Sequence, residues 1–200
     1  MIYFTSNEFF FPTKTNQYAE EYNNFIIDNW NKDVAAGDTV YVLGGLFRKT
    51  HDNSFNKVYV EEIVNKLNGT IHYIPNDTTD TFELCIFLDS ISVEYQFATD
   101  IIYNNATFIL TPTPIDAIEH AYKYCDETFL VVNCIGDCLS YVEDMTQDST
   151  YVYCGWDAKH RLISAAEIWV ELVQDDYVAQ LMDEEMGYDD FFEEDDWDDE

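Results

Sequence analysis

Apolar positions in the first third of the chain alternate between two periods. Ile2–Ser6 is a short, β-rich apolar run that reads as an opening strand. Tyr18, Tyr22, Phe25, Ile26 and Trp30 then recur at helical spacing, and Thr15 is placed to cap that helix. Gly37-Asp38 turns the chain into Thr39–Leu43, a continuous apolar run of the kind buried on both faces of a sheet. A second helical pattern passes through Val60, Ile63, Val64 and Leu67, with Gly69 where a helix-ending glycine belongs, and Ile71–Ile74 is the next strand. The order β-α-β-α-β implies a parallel core crossed by helices.

Strand patterns dominate the second half of the chain: Leu84–Leu88, Ser92–Phe97, Thr107–Leu110, Phe129–Asn133 and Tyr151–Cys154. Pro114 can open a helix with Ile115, Ile118 and Tyr122 on one face. Ser164-Ala-Ala-Glu167 is a capping box for a last helix through Ile168 and Leu172. No internal repeat or linker interrupts the pattern, so it predicts one α/β body over residues 1–182 and a tail over 183–200.

Charge changes this ordinary picture. The chain has 40 Asp+Glu against 9 Lys+Arg, a formal net charge of -31, so its bulk field repels DNA, RNA and anionic lipid. Direct nucleic-acid or membrane binding is therefore not expected. With 47% hydrophobic and 16% aromatic residues the chain nonetheless has the material for a core. The charge is graded: residues 1–73 carry net -3, residues 74–182 net -16, and residues 183–200 net -12 with no base at all. The N-terminus lacks a basic, apolar leader and no apolar run approaches membrane-spanning length, which points to the cytoplasm. An odd set of cysteines (Cys85, Cys125, Cys134, Cys138, Cys154) suits reduced thiols; Cys134 and Cys138 read as small core residues because no second ligand pair accompanies them.

Framework segments along the chain carry a more specific signal. They are Ile2-Tyr-Phe-Thr-Ser6, Thr39-Val-Tyr-Val-Leu-Gly44, Leu67-Asn-Gly69, the Asn76 loop, Leu110-Thr-Pro-Thr-Pro114, Asn133-Cys-Ile-Gly136, Cys154-Gly-Trp-Asp157 and Leu162-Ile-Ser164. In this order they resemble the small calcineurin-like metallophosphoesterases of bacteria and phages, over roughly residues 1–168. The resemblance implies a sandwich of two mixed β-sheets flanked by helices, to which this chain adds an acidic C-terminal tail.

The family hydrolyses phosphoesters with two bridged metal ions held by carboxylate, amide and imidazole ligands. The resemblance places its metal ligands and proton donor here on Asn7, Phe9, Gly45, Asn76, Asp77, Pro112, Asp137 and Leu139. Asn76 alone stands unchanged. The bridging aspartate is replaced by Gly45, and the histidine that would protonate the leaving group by Asp77. Without the bridging carboxylate two dications at close range are not neutralised. His51, His72, His120 and His160 match none of these positions. The expectation is a scaffold without catalytic residues, metal or cofactor. Glu8, Asp77 and Asp137 fall near the old site and could form a carboxylate pair there, although loop carboxylates on an acidic protein are usually just solvated.

A stripped scaffold with this charge suggests a protein that binds a basic, nucleic-acid-binding protein by imitating nucleic acid. Duplex DNA carries one phosphate per about 3.4 Å on each strand, and an extended tail with this acid density carries one charge per about 5 Å. The residues expected to contact such a partner are Asp175, Asp176, Asp183, Glu184, Glu185, Asp189, Asp190, Phe191, Phe192, Glu193, Glu194, Asp195, Asp196 and Trp197, acids for attraction and aromatics for anchoring. The Asn, Ile, Tyr and Asp richness fits an AT-rich genome, and so a phage-encoded inhibitor of a host enzyme working in the host cytoplasm. Alternatives stay open: a residual metal-dependent phosphodiesterase, a nucleotide-sequestering protein using Arg48, Lys49, Lys159, His160 and Arg161, a structural accessory protein, or acidity serving solubility alone.

Overall fold

A computed structural model describes residues 1–14, 16–48, 50, 52, 54–76, 82–96, 99–112, 128–132, 150–154 and 161–170, with backbone only for 128–132 and 150–153. The chain forms two compact units, Met1–Ala166 and Glu167–Glu200. All of the described strands belong to the first.

That unit begins as its hydrophobic pattern dictates. β1 (Ile2–Thr5), α1 (Gln17–Asp33), β2 (Thr39–Leu43), α2 (Lys57–Val64) and β3 (Thr70–Ile74) follow in order. α3 (Phe82–Ser90) leads to the short β4 (Glu94–Tyr95), then β5 (Thr99–Tyr103), β6 (Ala106–Thr111), β7 (Thr128–Val132), β8 (Thr150–Tyr153) and β9 (Ile163–Ser164). One sheet has the order β4-β3-β2-β1-β9, parallel except for β9, which returns antiparallel to β1. The other has the order β5-β6-β7-β8, with an antiparallel β5–β6 hairpin and parallel pairs beyond it. The architecture is α/β with mixed sheets.

Strand alternation divides the first sheet cleanly. Tyr3, Val40, Val42, Ile71 and Tyr73 turn to the helical side, where they join Ile26, Ile27 and Trp30 of α1, Val60 and Ile63 of α2, and Leu84 and Leu88 of α3 in one core. Trp30 is fully buried and satisfies its indole N–H on the Asn68 carbonyl at 2.9 Å. Phe4, on the opposite face, stacks on Phe108 of β6 with ring centroids 5.7 Å apart, which joins the two sheets.

Several local expectations are corrected. Leu84–Leu88 is helix, not strand: Leu84, Cys85 and Leu88 are buried while Glu83, Ile86 and Asp89 are exposed, a spacing only a helix produces. Ser92–Phe97 contributes only the two residues of β4. β5 was not anticipated, although Asn104-Asn105 between two apolar runs marks it; both take positive φ (50° and 69°), as a two-residue hairpin turn requires. Asn16 rather than Thr15 caps α1, accepting the Ala19 N–H at 2.9 Å. Tyr18 and Phe25 face outward; the inward stripe of α1 is Ala19, Asn23, Ile26, Ile27 and Trp30. α2 ends at Val64 with Asn65 as its cap, so Gly69 (φ 91°) serves the turn into β3 instead. Cys85 and Cys154 are buried thiols. The Pro114 helix, Cys134, Cys138 and the tail from Asp183 lie outside the described residues.

Candidate functional site

In a parallel sheet the loops beyond the carboxyl ends of the strands converge, and ligands are usually found there. Here the loops after β1 and β2 lie side by side and continue the strands' pairing. The Asn7 N–H donates to the Gly44 carbonyl at 3.1 Å, Phe9 N–H to Gly45 at 2.8 Å and Phe10 N–H to Leu46 at 2.9 Å. Arg48 N–H closes the series on the Phe10 carbonyl at 2.8 Å, and Phe10 and Phe47 form a parallel bridge. Both loops reach this geometry through left-handed backbone: Asn7 (φ 60°), Phe9 (φ 52°), Gly44 (φ 74°) and Gly45 (φ 69°). Such a conformation is costly for a residue as bulky as phenylalanine, so the surrounding pairing must hold it.

This brings three of the anticipated positions together: Asn7, Phe9 and Gly45. Their contact crowds the place where the resemblance would put a bridging carboxylate. A Cβ on Gly45 would stand 2.6 Å from Asn7 Oδ1, 3.0 Å from Asn7 Cα and 3.1 Å from Phe9 Cε1. The residues present therefore do not fit a bridged metal pair. Asn76 follows β3, next to β2 in the sheet, and Pro112 is buried just after β6 of the other sheet. Asp77, Asp137 and Leu139 lie outside the described residues, as do all the anticipated partner-contacting positions from Asp175 to Trp197. Among the described residues no group of three or more His, Cys, Asp or Glu is placed to hold a metal ion.

Glu8 is not a solvated loop carboxylate. It is completely buried, and the Thr5 hydroxyl donates to its Oε1. Thr5 shares the helical face of β1 with Tyr3, and Tyr22 of α1 donates its hydroxyl to the Glu8 carbonyl at 3.0 Å. Glu8 is thus held at the α1 side of the sheet. Its Oε2 and the neighbouring Ser6 hydroxyl have no hydrogen-bond partner among the described residues. Burial pushes the Glu8 pKa up to about 7 against the opposing pull of the Thr5 hydrogen bond, so at neutral pH this carboxyl is poised between its two forms. A charged residue between two apolar runs is not marked as buried by its sequence position.

Arg48 is spent on the same loops. Its Nε donates to the Phe9 carbonyl at 3.0 Å, and its guanidinium lies over the rings of Phe11 (4.6 Å) and Tyr22 (5.2 Å). Arg161 is exposed, and Lys49, Lys159 and His160 lie outside the described residues.

The far face of the first sheet carries a cluster that periodicity does not reveal. His72 stacks on Tyr41 at 4.8 Å and places its Nδ1 3.0 Å from Glu94 Oε2. Burial raises the Tyr41 phenol above its usual range, and the Glu94 charge adds to the shift.

No protein-family model and no curated protein matches the chain. Among solved structures it is similar to the crystal structure of the protein of unknown function AQ665 from Aquifex aeolicus, at 18% identity and a TM-score of 0.60. The match covers 84% of this chain and 97% of that one. The likeness is one of fold. No helix among the described residues is long and apolar enough to cross a membrane.

Proposed function

We propose that this chain is a non-catalytic protein on a phosphoesterase-like sandwich, acting by binding a basic, nucleic-acid-binding protein through its acidic surface. The observation that carries the reading is the fit of Gly45 against Asn7. A bridging carboxylate would be crowded there and a side chain has no easy backbone, so metal-assisted hydrolysis of the family's kind lacks its central ligand. What the chain offers a partner instead is charge. From Ile74 to Tyr122 the sequence holds no Lys or Arg, and Glu83, Asp89, Glu94 and Asp100 are all exposed in that stretch. The tail adds net -12. Fixed acids on a folded surface followed by a dense acidic segment would attract a nucleic-acid groove at long range and occupy it. Phage origin and inhibition of a host defence or replication enzyme extend this reading.

The test is salt-dependent capture from a bacterial lysate, followed by competition. Basic nucleic-acid-binding proteins should be retained at low salt, elute as salt rises, and be displaced by a DNA or RNA duplex. Removal of residues 183–200 should weaken retention. If no such protein is retained, or if duplex leaves the retained proteins bound, the reading fails.

A further inference from the structure

An open pocket of about 500 Å3 lies between α3 and the first turn of α2, including the end of the loop that leads from β2 into α2. Ser54, Phe55, Lys57, Glu83 and Ile86 line it. Its volume falls in the range of small-molecule sites, roughly 300–1,000 Å3. The apolar part is substantial: the Phe55 ring packs on Phe87 at 5.6 Å, and Phe82 and Ile86 are 74% and 55% exposed beside it. Large apolar side chains left in water around a concavity are where a ligand gains from burial.

Among the described residues the polar lining is Ser54 and two opposite charges, Lys57 and Glu83. Lys57 Nζ lies 5.5 Å over the Phe87 ring, and neither Lys57 nor Glu83 forms an ion pair among the described residues, with each other or with a third group. A simple anion would face Glu83 and a chain of net charge -31, while a simple cation would meet Lys57. A molecule with both charges satisfies both residues. We propose that this cavity binds a small zwitterion with an aromatic body, of which dipeptides with aromatic side chains are the model. Its carboxylate would pair with Lys57, its ammonium with Glu83, and its rings would lie against Phe55 and Ile86.

Calorimetric titration of the full chain with L-phenylalanyl-L-phenylalanine tests this, alongside the N-acetylated and C-amidated forms of the same dipeptide. The zwitterion should bind saturably, and loss of either terminal charge should weaken binding about tenfold or more, as expected for one charge-assisted contact. Lys57→Met should weaken the zwitterion similarly but add little to the effect of amidation; Glu83→Gln should behave likewise toward acetylation. Both positions are exposed, so folding of the variants is checked simply by an unchanged melting temperature. Absence of saturable heat for the zwitterion overturns the proposal. So does equal binding of the end-blocked peptides, which would make the cavity a reader of apolar surface only.

Discussion

Asn7 Oδ1 lies 2.6 Å from the point where a Cβ on Gly45 would stand, so each residue sets the size of the other. Gly45→Asp is therefore expected to destabilise the fold by about 2 kcal/mol or more, combining positive-φ strain with overpacking. Urea denaturation measures it. Adding Asn7→Gly should recover part of the loss, because it clears the steric share and leaves the backbone share. A Gly45→Asp protein as stable as the parent would refute this packing.

Glu8 gives a pH dependence of defined sign. Its carboxyl has a folded pKa near 7 against an ordinary value of 4.5. Between these values the folded chain holds a proton that the unfolded chain has released, so stability falls as pH rises through that window and levels off above it. The shift corresponds to about 3 kcal/mol in order of magnitude. Glu8→Gln, neutral at every pH, should lose this slope. The difference between the two unfolding free energies, followed from pH 4 to 8, isolates Glu8 from the many other carboxylates.

Asn23 joins three segments from a buried position. Its Oδ1 accepts the Phe11 N–H at 2.9 Å, and its Nδ2 donates to the Phe11 carbonyl at 3.1 Å and to the Tyr59 hydroxyl at 3.2 Å. Asn23→Ala leaves both backbone groups of Phe11 without this partner, and about 2–4 kcal/mol should be lost in thermal or chemical unfolding. Asn23→Leu should fare no better, since added apolar volume does not replace the hydrogen bonds.

Arg48→Lys should cost about 1 kcal/mol, more than a typical exposed substitution. An ammonium keeps the charge but loses the planar fork that lies over Phe11 and Tyr22 while donating to Phe9. Unchanged stability of this variant would show that the stack contributes nothing.

The alternating first half was legible because each element follows a clean period: α2 buries Val60, Ile63 and Val64 as the pattern marks, whereas β2, expected to be buried on both faces, keeps Thr39 and Tyr41 only half-buried. Legibility ended where one apolar run served two periods. Phe82-Glu-Leu-Cys-Ile-Phe-Leu88 satisfies a buried strand by composition, and only the exposure of Glu83 and Ile86 decides for helix. Tyr18 and Phe25 fit the helical stripe of α1 yet face water, because Asn23, polar but bonded three ways, takes the inward place between them. At the candidate site the loss of side chain at Gly45 was visible, but the contact with Asn7 depends on left-handed backbone in both loops. The burial of Glu8 was hidden because its partners come from Thr5 and from Tyr22 of α1.

The Asn104–Asn105 turn divides the second sheet into a locally closed hairpin and strands joined across long connections. β5 and β6 are closed by two residues, and hairpins of that kind form in about 1–10 μs. β7 and β8 join only through parallel pairs, after crossovers of 16 residues from β6 to β7 and 17 from β7 to β8. Closing those loops comes at an entropic cost that the hairpin does not bear. If the hairpin is the template on which that sheet assembles, mutations in its turn should slow folding rather than speed unfolding, which folding and unfolding rates of turn variants will show.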